Sequence, residues 1–296
     1  MFEWDDRIFE ALDPERPVLI AGPTASGKSA LAMRIAEKQG GVLINADALQ
    51  VFSNWRILTA RPTEEDEARV AHRLYGHVPG THAYSVGDWL REVSGIWHGP
   101  LRPIVVGGTG LYFSALTEGL ADIPSTPAAI RALADRRISA EGSAALLDDL
   151  DPLTRARIDC RNPARVQRAW EVQKTTGRGL AEWHEETDAP LAPLDRVQPL
   201  LLDADRDWLI SRIRRRFHLM LDAGLLDEGG ANVDDWSPDM PAAKAIGAAE
   251  VIAHLQGRLP FEEMERAVVI QTRQYAKRQR TWFRRRMRDW RPVACH

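Results

Sequence analysis

Residues 18–31, VLIAGPTASGKSAL, decide the fold of this chain. The apolar run Val18–Ala21 has the length of a buried strand. The residues that follow, 22–29, match the phosphate-binding pattern G-x-x-x-x-G-K-[ST] at every fixed position. Apolar residues then recur at helical spacing until Gly40 and Gly41. The stretch therefore predicts a strand, a loop and a helix, in the order that a phosphate-binding loop requires.

The predicted loop can hold a polyphosphate through its backbone and two of its side chains. Glycines allow backbone N–H groups to converge on an anion, and the N-terminus of the next helix adds the positive end of its dipole. Lys28 would contact terminal phosphate oxygens, and the Ser29 hydroxyl would hold Mg²⁺. The loop alone does not identify the polyphosphate, and a glycine-rich turn with an incidental lysine is the structural alternative.

Composition is typical of a folded protein without a membrane segment. The chain has 296 residues, 44% of them apolar, which is enough for a sizeable core. It contains no apolar run of membrane-spanning length, and its N-terminus is acidic, unlike a signal peptide. We therefore expect a cytoplasmic protein that makes no membrane contact. Cys160 and Cys295 are too few for a disulfide framework, and Cys295 with His296 is expected to form a frayed tail.

Positive charge is concentrated near the C-terminus. Residues 271–291 contain nine Lys or Arg and one acid, although the whole chain has a net charge of −3. A long helix is predicted over 261–287, and four of its cations share one face: Arg273, Lys277, Arg280 and Arg284. Cations interleaved with aromatic residues suit contact with phosphates and stacking on bases. A solvated basic face with a packed aromatic side fits the charge pattern equally well.

Three further apolar runs predict more strands of a parallel sheet: Val42–Ile44, Pro103–Val106 and Gln198–Leu202. Asp47 follows the first run, at the edge where open α/β sheets place reactive groups. From its position it could be a magnesium ligand, a general base or a helix N-cap. A glycine-rich turn, 107–110, follows the second run and is expected at the same edge.

Helices are predicted between these strands. Residues 84–97 form an amphipathic pattern with Ser85 as the N-cap and Asp88 three residues later. Residues 207–221 form a basic helix that places Arg212 and Arg216 on one face. Between the two, residues 121–196 are punctuated by proline and contain helical patches without a strong strand. This segment is predicted to be a helical insertion.

Six stretches occur in the order typical of one family: GPTASGKSAL (22–31), INADALQVF (44–52), TARP (59–62), YSVGDW (84–89), VVGGTGLYF (105–113) and RQYAKRQRTWF (273–283). Together they strongly resemble the bacterial tRNA dimethylallyltransferases, also called tRNA isopentenyltransferases, from about residue 17 to residue 290. The resemblance implies an α/β fold with a P-loop, nucleotide-kinase-like parallel sheet core. Residues 1–120 and 197–296 would form that core, and 121–196 would be a helical insertion domain that binds the anticodon stem-loop.

The resemblance also implies an activity. Members of this family transfer a dimethylallyl group from dimethylallyl diphosphate to the N6 of an adenosine beside the anticodon of tRNA. They release diphosphate and leave N6-isopentenyladenosine in the tRNA. Two other hypotheses remain open from the residues alone. One is a P-loop kinase of a nucleoside or other small metabolite, and the other is a nucleotide-gated RNA-binding regulator without catalytic activity.

Roles for individual residues follow from the same resemblance. Asp47 would be the general base, Thr109 would line the reaction channel, and Lys28 would act on the leaving group. The donor diphosphate would be bound by Gly22, Pro23, Thr24, Ala25, Ser26, Gly27, Lys28, Ser29, Arg212 and Arg216. Contacts with tRNA are expected from Asp47, Ala48, Leu49, Gln50, Thr109, Arg131, Ala164, Arg165, Val166, Gln167, Arg168, Lys244, Ala245, Ile246, Gly247, Arg273, Lys277 and Arg280.

The chain departs from the family pattern at three positions. Ala48 stands where a serine is usual, Ala248 where an aromatic residue is usual, and Arg61 where a lysine is usual. Mg²⁺ held by Ser29 is the one cofactor implied, because the chain lacks the cysteines of the eukaryotic C-terminal zinc finger. We expect the protein to be a monomer.

Overall fold

A computed structural model describes Trp4 and residues 6–295 of the chain. The strands in chain order are β1 (Val18–Ala21), β2 (Val42–Asn45), β3 (His72–Arg73), β4 (Pro103–Gly107), β5 (Gln198–Ala204) and β6 (Arg291–Cys295). They form one sheet in the order β3–β2–β4–β1–β5–β6, and every neighbouring pair is parallel. The predicted α/β fold with a parallel sheet is confirmed.

Helices precede, connect and follow these strands along the chain. In chain order they are α1 (Arg7–Glu10), α2 (Lys28–Gln39), α3 (Glu64–Arg69), α4 (Val86–Trp97), α5 (Gly110–Glu118), α6 (Ala128–Glu141), α7 (Pro152–Arg157), α8 (Pro163–Thr176), α9 (Leu180–Glu185), α10 (Arg206–Asp222), α11 (Leu225–Gly230), α12 (Ala248–Leu255) and α13 (Phe261–Arg286). Short 3₁₀ turns occupy Ser143–Asp149, Leu194–Arg196 and Pro241–Lys244.

The three central strands are buried along their whole length, as their continuous apolar runs predict. Their register brings the carboxyl ends together, since Ala21 lies beside Gly107 and Asn45 lies beside Val106. The segments that follow these strands therefore leave the sheet at one edge. This edge collects the phosphate-binding loop, the segment that begins after Asn45 and the glycine-rich turn after β4.

The capping predicted for the amphipathic helix is confirmed. The Ser85 hydroxyl accepts the Asp88 N–H at 3.2 Å, and the Asp88 carboxylate accepts the Ser85 N–H at 2.8 Å. These reciprocal bonds start α4 at Val86.

The prediction of a frayed tail at Cys295 is wrong. Residues 291–295 form β6, which pairs in parallel with β5 and buries Val293 and Cys295. Alternate residues of this edge strand stay exposed, so the sequence shows no apolar run of the kind that marks the central strands. His296 lies outside the described residues.

The described chain divides into two compact units, one formed by residues 1–117 and 192–296 and the other by 118–191. The second unit contains α6–α9 around its own core, in which Val166 and Trp170 are buried. No strand occurs among its residues, all of which are described. In the part of the chain that the structure describes, no helix has the length and hydropathy needed to cross a membrane.

Candidate active site

The phosphate-binding loop has the tight geometry that its glycines predict. A Cβ at Gly22 would lie 2.8 Å from Ser26 Oγ and 2.9 Å from Leu202 Cβ, so the close approach requires glycine. Gly27 has a left-handed φ of 91° and precedes α2, which begins at Lys28. The first N–H groups of α2 have no intrahelical partner and carry the positive end of the dipole. The Ser29 side chain is exposed at this helix start.

Two cations and one carboxylate meet beside the loop. Burial lowers the pKa of Lys28 to about 8, while nearby Asp47 acts in the opposite direction and Arg216 adds to the lowering. Burial likewise lowers the pKa of Arg216 to about 10, again opposed by Asp47. The Lys28 ammonium has one weak protein contact, 3.5 Å from the Pro23 carbonyl oxygen. A bound anion would stabilise the charged form of a lysine in such surroundings and raise its pKa.

Asp47 is fixed by a turn and does not cap a helix, so the N-cap alternative does not apply to it. Its N–H donates to Asn45 Oδ1 at 2.8 Å, and its Oδ1 accepts the Leu49 N–H at 3.1 Å. The Asn45 amide also donates to the Asp47 carbonyl oxygen at 2.9 Å, which closes the turn from both sides. The carboxylate is therefore oriented by the chain immediately around it.

The glycine-rich turn lies against Asp47. A Cβ at Gly107 would lie 2.0 Å from the Ala46 carbonyl oxygen, and a Cβ at Gly108 would lie 3.4 Å from Asp47 Oδ2. Thr109 Oγ1 accepts the N–H of Ala48 at 2.9 Å. The turn is thus packed closely against the segment that carries Asp47, and its threonine hydroxyl holds that segment.

Gln279, buried on α13, joins the turn to the phosphate-binding loop. Its Oε1 accepts the Thr24 N–H at 2.8 Å, and its amide donates to the Gly108 carbonyl oxygen at 2.9 Å. Tyr275, one helical turn earlier, lies near the side chains of Thr109 and Gln279, and burial raises the pKa of its phenol. Neither residue is among the site residues predicted from the sequence, although both lie inside the quoted stretch 273–283.

A narrow cavity of about 60 Å³ opens next to these groups. Its polar lining includes Thr24, Asp47 and Arg216, and most of its other lining residues are apolar. The other lining residues are Leu49, Leu58, Thr59, Ile213, Phe217, Met220, Ile246, Val268, Val269, Thr272 and Tyr275. Such a cavity suits a small branched hydrocarbon attached to an anionic group.

Other predicted donor and tRNA residues of the first unit lie near this cavity. Arg212 Nε donates to the Ala25 carbonyl oxygen at 3.2 Å, which places it on the phosphate-binding loop. The Gln50 amide is bound within the protein, to the Thr59 and Ala60 carbonyl oxygens. Within the segment 244–247, Lys244 is exposed, Ala245 and Gly247 are buried, and Ile246 lines the cavity.

The predicted basic stripe borders a second cavity, of about 460 Å³, between α10 and α13. It is lined by the cations Arg206, Arg273, Lys277 and Arg280, by Gln274, and by the apolar residues Leu209, Ile210, Ile213, Ile270 and Ala276. We call this cavity the cationic groove. It is compatible with both interpretations of the charge pattern, contact with nucleic acid and a solvated basic face.

The predicted tRNA residues of the second unit cluster at the start of α8 and beside it. Ala164 and Arg165 are exposed, whereas Val166 is buried in the unit's core. Gln167 bonds to Asp135 and Glu171. Arg168 donates to Thr126 Oγ1, and exposed Arg131 lies 3.6 Å from Glu171.

The sequence matches two family models. The model described as IPP transferase matches residues 50–286, and the one described as isopentenyl transferase matches residues 16–77. The chain is 61% identical over 290 residues to the tRNA dimethylallyltransferase of Paracoccus denitrificans, with 96% of each chain covered. It is 58% identical over 282 residues to that of Cereibacter sphaeroides, covering 95% of this chain and 97% of the other.

Solved structures agree with the sequence relatives. A tRNA isopentenylpyrophosphate transferase from Bacillus halodurans superposes with a TM-score of 0.66 at 31% identity, covering 95% of this chain and 90% of that chain. A eukaryotic dimethylallyltransferase acting on tRNA superposes with a TM-score of 0.77 at 25% identity, covering 91% of this chain and 70% of that chain.

Proposed function

The chain belongs to the tRNA dimethylallyltransferase family, and from this membership we propose how its own residues carry out the prenylation of tRNA. The donor is dimethylallyl diphosphate, and the acceptor is the exocyclic N6 of an adenosine beside the anticodon. The N6 atom forms a bond to C1 of the dimethylallyl group as the C1–O bond breaks. The bonding electrons leave with the diphosphate, and the N6 proton passes to Asp47.

The phosphate-binding loop holds the diphosphate end of the donor. Residues 22–29 offer backbone N–H groups and the start of α2, and Lys28 and Arg216 supply positive charge where the leaving group develops negative charge. Arg212 adds a third cation through its contact with the loop. The dimethylallyl group points into the cavity, whose apolar lining includes Phe217.

Mg²⁺ fits the residues present as an ion bound mainly by the donor. Ser29 presents an exposed hydroxyl at the start of α2, and no cluster of three acidic, His or Cys side chains occurs among the described residues. One hydroxyl together with diphosphate oxygens and water is a usual coordination set for this ion. When bound, Mg²⁺ would neutralise charge on the leaving diphosphate.

Asp47 is proposed to receive the acceptor proton. The adenine N6 is a weak nucleophile because its lone pair is conjugated into the ring, so a carboxylate that accepts its proton both orients and activates it. The target base has to leave its stack to reach this position, at a cost of a few kcal/mol. The cationic groove with Arg273, Lys277 and Arg280 contributes phosphate contacts. Arg131 and residues 164–168 of the second unit are also proposed to contact tRNA.

The observation that carries this proposal is a cavity lined mostly by apolar residues and also by Asp47 and Arg216, with Lys28 of the phosphate-binding loop near both charges. A kinase would need a polar acceptor pocket at that place. The test is to incubate purified protein with Mg²⁺, dimethylallyl diphosphate and an anticodon stem-loop RNA, and to measure the mass of the RNA. We expect the mass of one dimethylallyl group to be added.

A matched RNA supplies the control. A stem-loop whose target adenosine is replaced by guanosine keeps the phosphate contacts and should gain no mass. ATP-dependent phosphorylation of a small acceptor, with no transfer from dimethylallyl diphosphate, would refute the proposal in favour of the kinase hypothesis.

A further inference from the structure

One wall of the cavity is a loop that has few backbone bonds of its own, from the Ala60 N–H to the Ile57 carbonyl oxygen and from the Arg61 N–H to the Arg56 carbonyl oxygen. Residues 55–60, the 55–60 loop, follow the segment of Asp47 and form turns without helix or strand pairing. Leu58 and Thr59 of this loop line the cavity. Buried backbone groups of such a loop need hydrogen-bond partners from elsewhere in the protein.

Glu228 of α11 provides those partners. Its Oε1 accepts the N–H groups of Arg56 and Ile57 at 2.5 and 2.7 Å, and its Oε2 accepts the Leu58 N–H at 2.9 Å. One carboxylate thus binds three consecutive backbone donors, about 170 residues away in the sequence. Hydrogen bonds to an ionised acceptor are shorter and stronger than neutral ones.

Two amides complete the hold on the loop. Asn232, one helical turn after Glu228, donates to the Asn54 carbonyl oxygen at 3.1 Å and accepts from the Asn54 side chain at 3.0 Å. On the other side, the Gln50 amide donates to the carbonyl oxygens of Thr59 and Ala60 at 2.8 and 3.0 Å. Ala60 has a φ of 55°, a left-handed conformation that alanine rarely adopts without such support.

The carboxylate acts on the cavity only through the loop. Among the described residues, Leu58 and Thr59 line the cavity, whereas Glu228 does not. All three of its bonds described above go to backbone amides of the loop. We propose that Glu228 is a positioning residue that fixes this wall of the prenyl cavity and so restricts the donor to five carbons. This inference rests on the proposed function.

Glu228→Gln is the variant that tests the role. Its side chain is nearly the same size, but it is neutral, and its NH₂ group would face a backbone N–H in place of an acceptor. We expect the KM for dimethylallyl diphosphate to rise about tenfold, while kcat and the KM for the stem-loop change less than about threefold. We also expect the kcat/KM for geranyl diphosphate, relative to dimethylallyl diphosphate, to rise at least about fivefold, because a looser wall admits the ten-carbon donor.

A purely structural role would give a different result. Partial unfolding lowers the concentration of active enzyme, which reduces the apparent kcat but leaves both KM values and the donor ratio unchanged. Asp88→Asn is the matched control, since Asp88 also binds a backbone N–H, at the start of α4, and does not line the cavity. It should leave the donor KM and the donor ratio at the wild-type values.

Amide hydrogen exchange without donor tests the contact independently of activity. In Glu228→Gln the amides of Ile57 and Leu58 should exchange at least about tenfold faster, while those of the central strand Val18–Ala21 should be unchanged. Unchanged exchange at Ile57 and Leu58, or an unchanged donor KM and donor ratio, would overturn the inference. A wild-type protein that transfers no prenyl group would refute the proposed function, yet the exchange result would still decide whether Glu228 holds the loop.

Discussion

Lys28 should make donor binding depend on pH in the weakly alkaline range. Burial lowers its pKa to about 8 in the free protein, so its ammonium is about 90% charged at pH 7 and about 10% charged at pH 9. A bound diphosphate favours the charged form and raises the pKa again. Affinity for dimethylallyl diphosphate should therefore fall about tenfold from pH 7 to pH 9, or about 1.4 kcal/mol.

The sign of this effect can be measured directly as proton uptake. Because free Lys28 is half protonated near pH 8, donor binding at that pH should take up about half a proton from the buffer. Isothermal titration calorimetry of dimethylallyl diphosphate, with Mg²⁺ fixed and no RNA, measures the uptake in buffers of different ionisation enthalpy. The last ionisation of the donor itself, near pH 6, lies below this range.

Lys28→Met separates this titration from all others in the protein. The variant should bind the donor more weakly at pH 7, with a flat affinity from pH 7 to pH 9 and no proton uptake at pH 8. Wild-type affinity that does not change over that range would refute the argument. The same slope in wild type and Lys28→Met would also refute it, since the titrating group would then lie elsewhere.

Three further changes test other parts of the site. Asp47→Asn should lower kcat on the stem-loop about 10²- to 10⁴-fold, with donor affinity equal or tighter, and steady-state kinetics near wild type would exclude it as the base. Arg216→Gln should weaken donor binding, measured by calorimetry, at least about tenfold. Arg215 is its exposed neighbour, and Arg215→Gln should change donor binding less than about twofold. Equal effects of the two substitutions would contradict the role of Arg216. Gln279→Leu leaves one backbone N–H and one carbonyl unpaired and should cost about 2–4 kcal/mol of unfolding free energy in urea, against less than about 0.5 for exposed Gln274→Leu.

The sheet and its reactive edge could be predicted because they follow from local pattern. A strand buried on both faces requires a continuous apolar run, and 18–21, 42–44 and 103–106 are such runs. The loop after the first run has a motif with a fixed mechanism, and the family indicated by the motifs is confirmed by relatives that cover nearly the whole chain. The edge strand 291–295 could not be predicted in this way, since only alternate residues of it face the core.

The apolar lining of the cavity could not be predicted from the hydrophobic pattern of the sequence. Ile213, Phe217 and Met220 recur on one face of α10, and Val268 and Val269 lie on α13, with the same spacing that core residues have. A residue that lines a cavity and one that fills the core obey the same hydrophobic periodicity. What distinguishes them is a gap between helices, which depends on how distant segments pack.

The polar residues that position the site can be predicted from the sequence only in part. Segments without secondary structure, such as 53–62, contain backbone donors and acceptors that must be satisfied when the segment is buried. The sequence shows that such partners are needed, but it does not show which ones serve. Glu228 and Gln279 each lie on a helix, where charge pattern alone suggests a solvated side chain, and each instead binds a loop more than 100 residues away. In a chain of this kind, the first candidates for positioning roles are therefore long polar side chains on helices that pack against a motif-bearing loop without secondary structure.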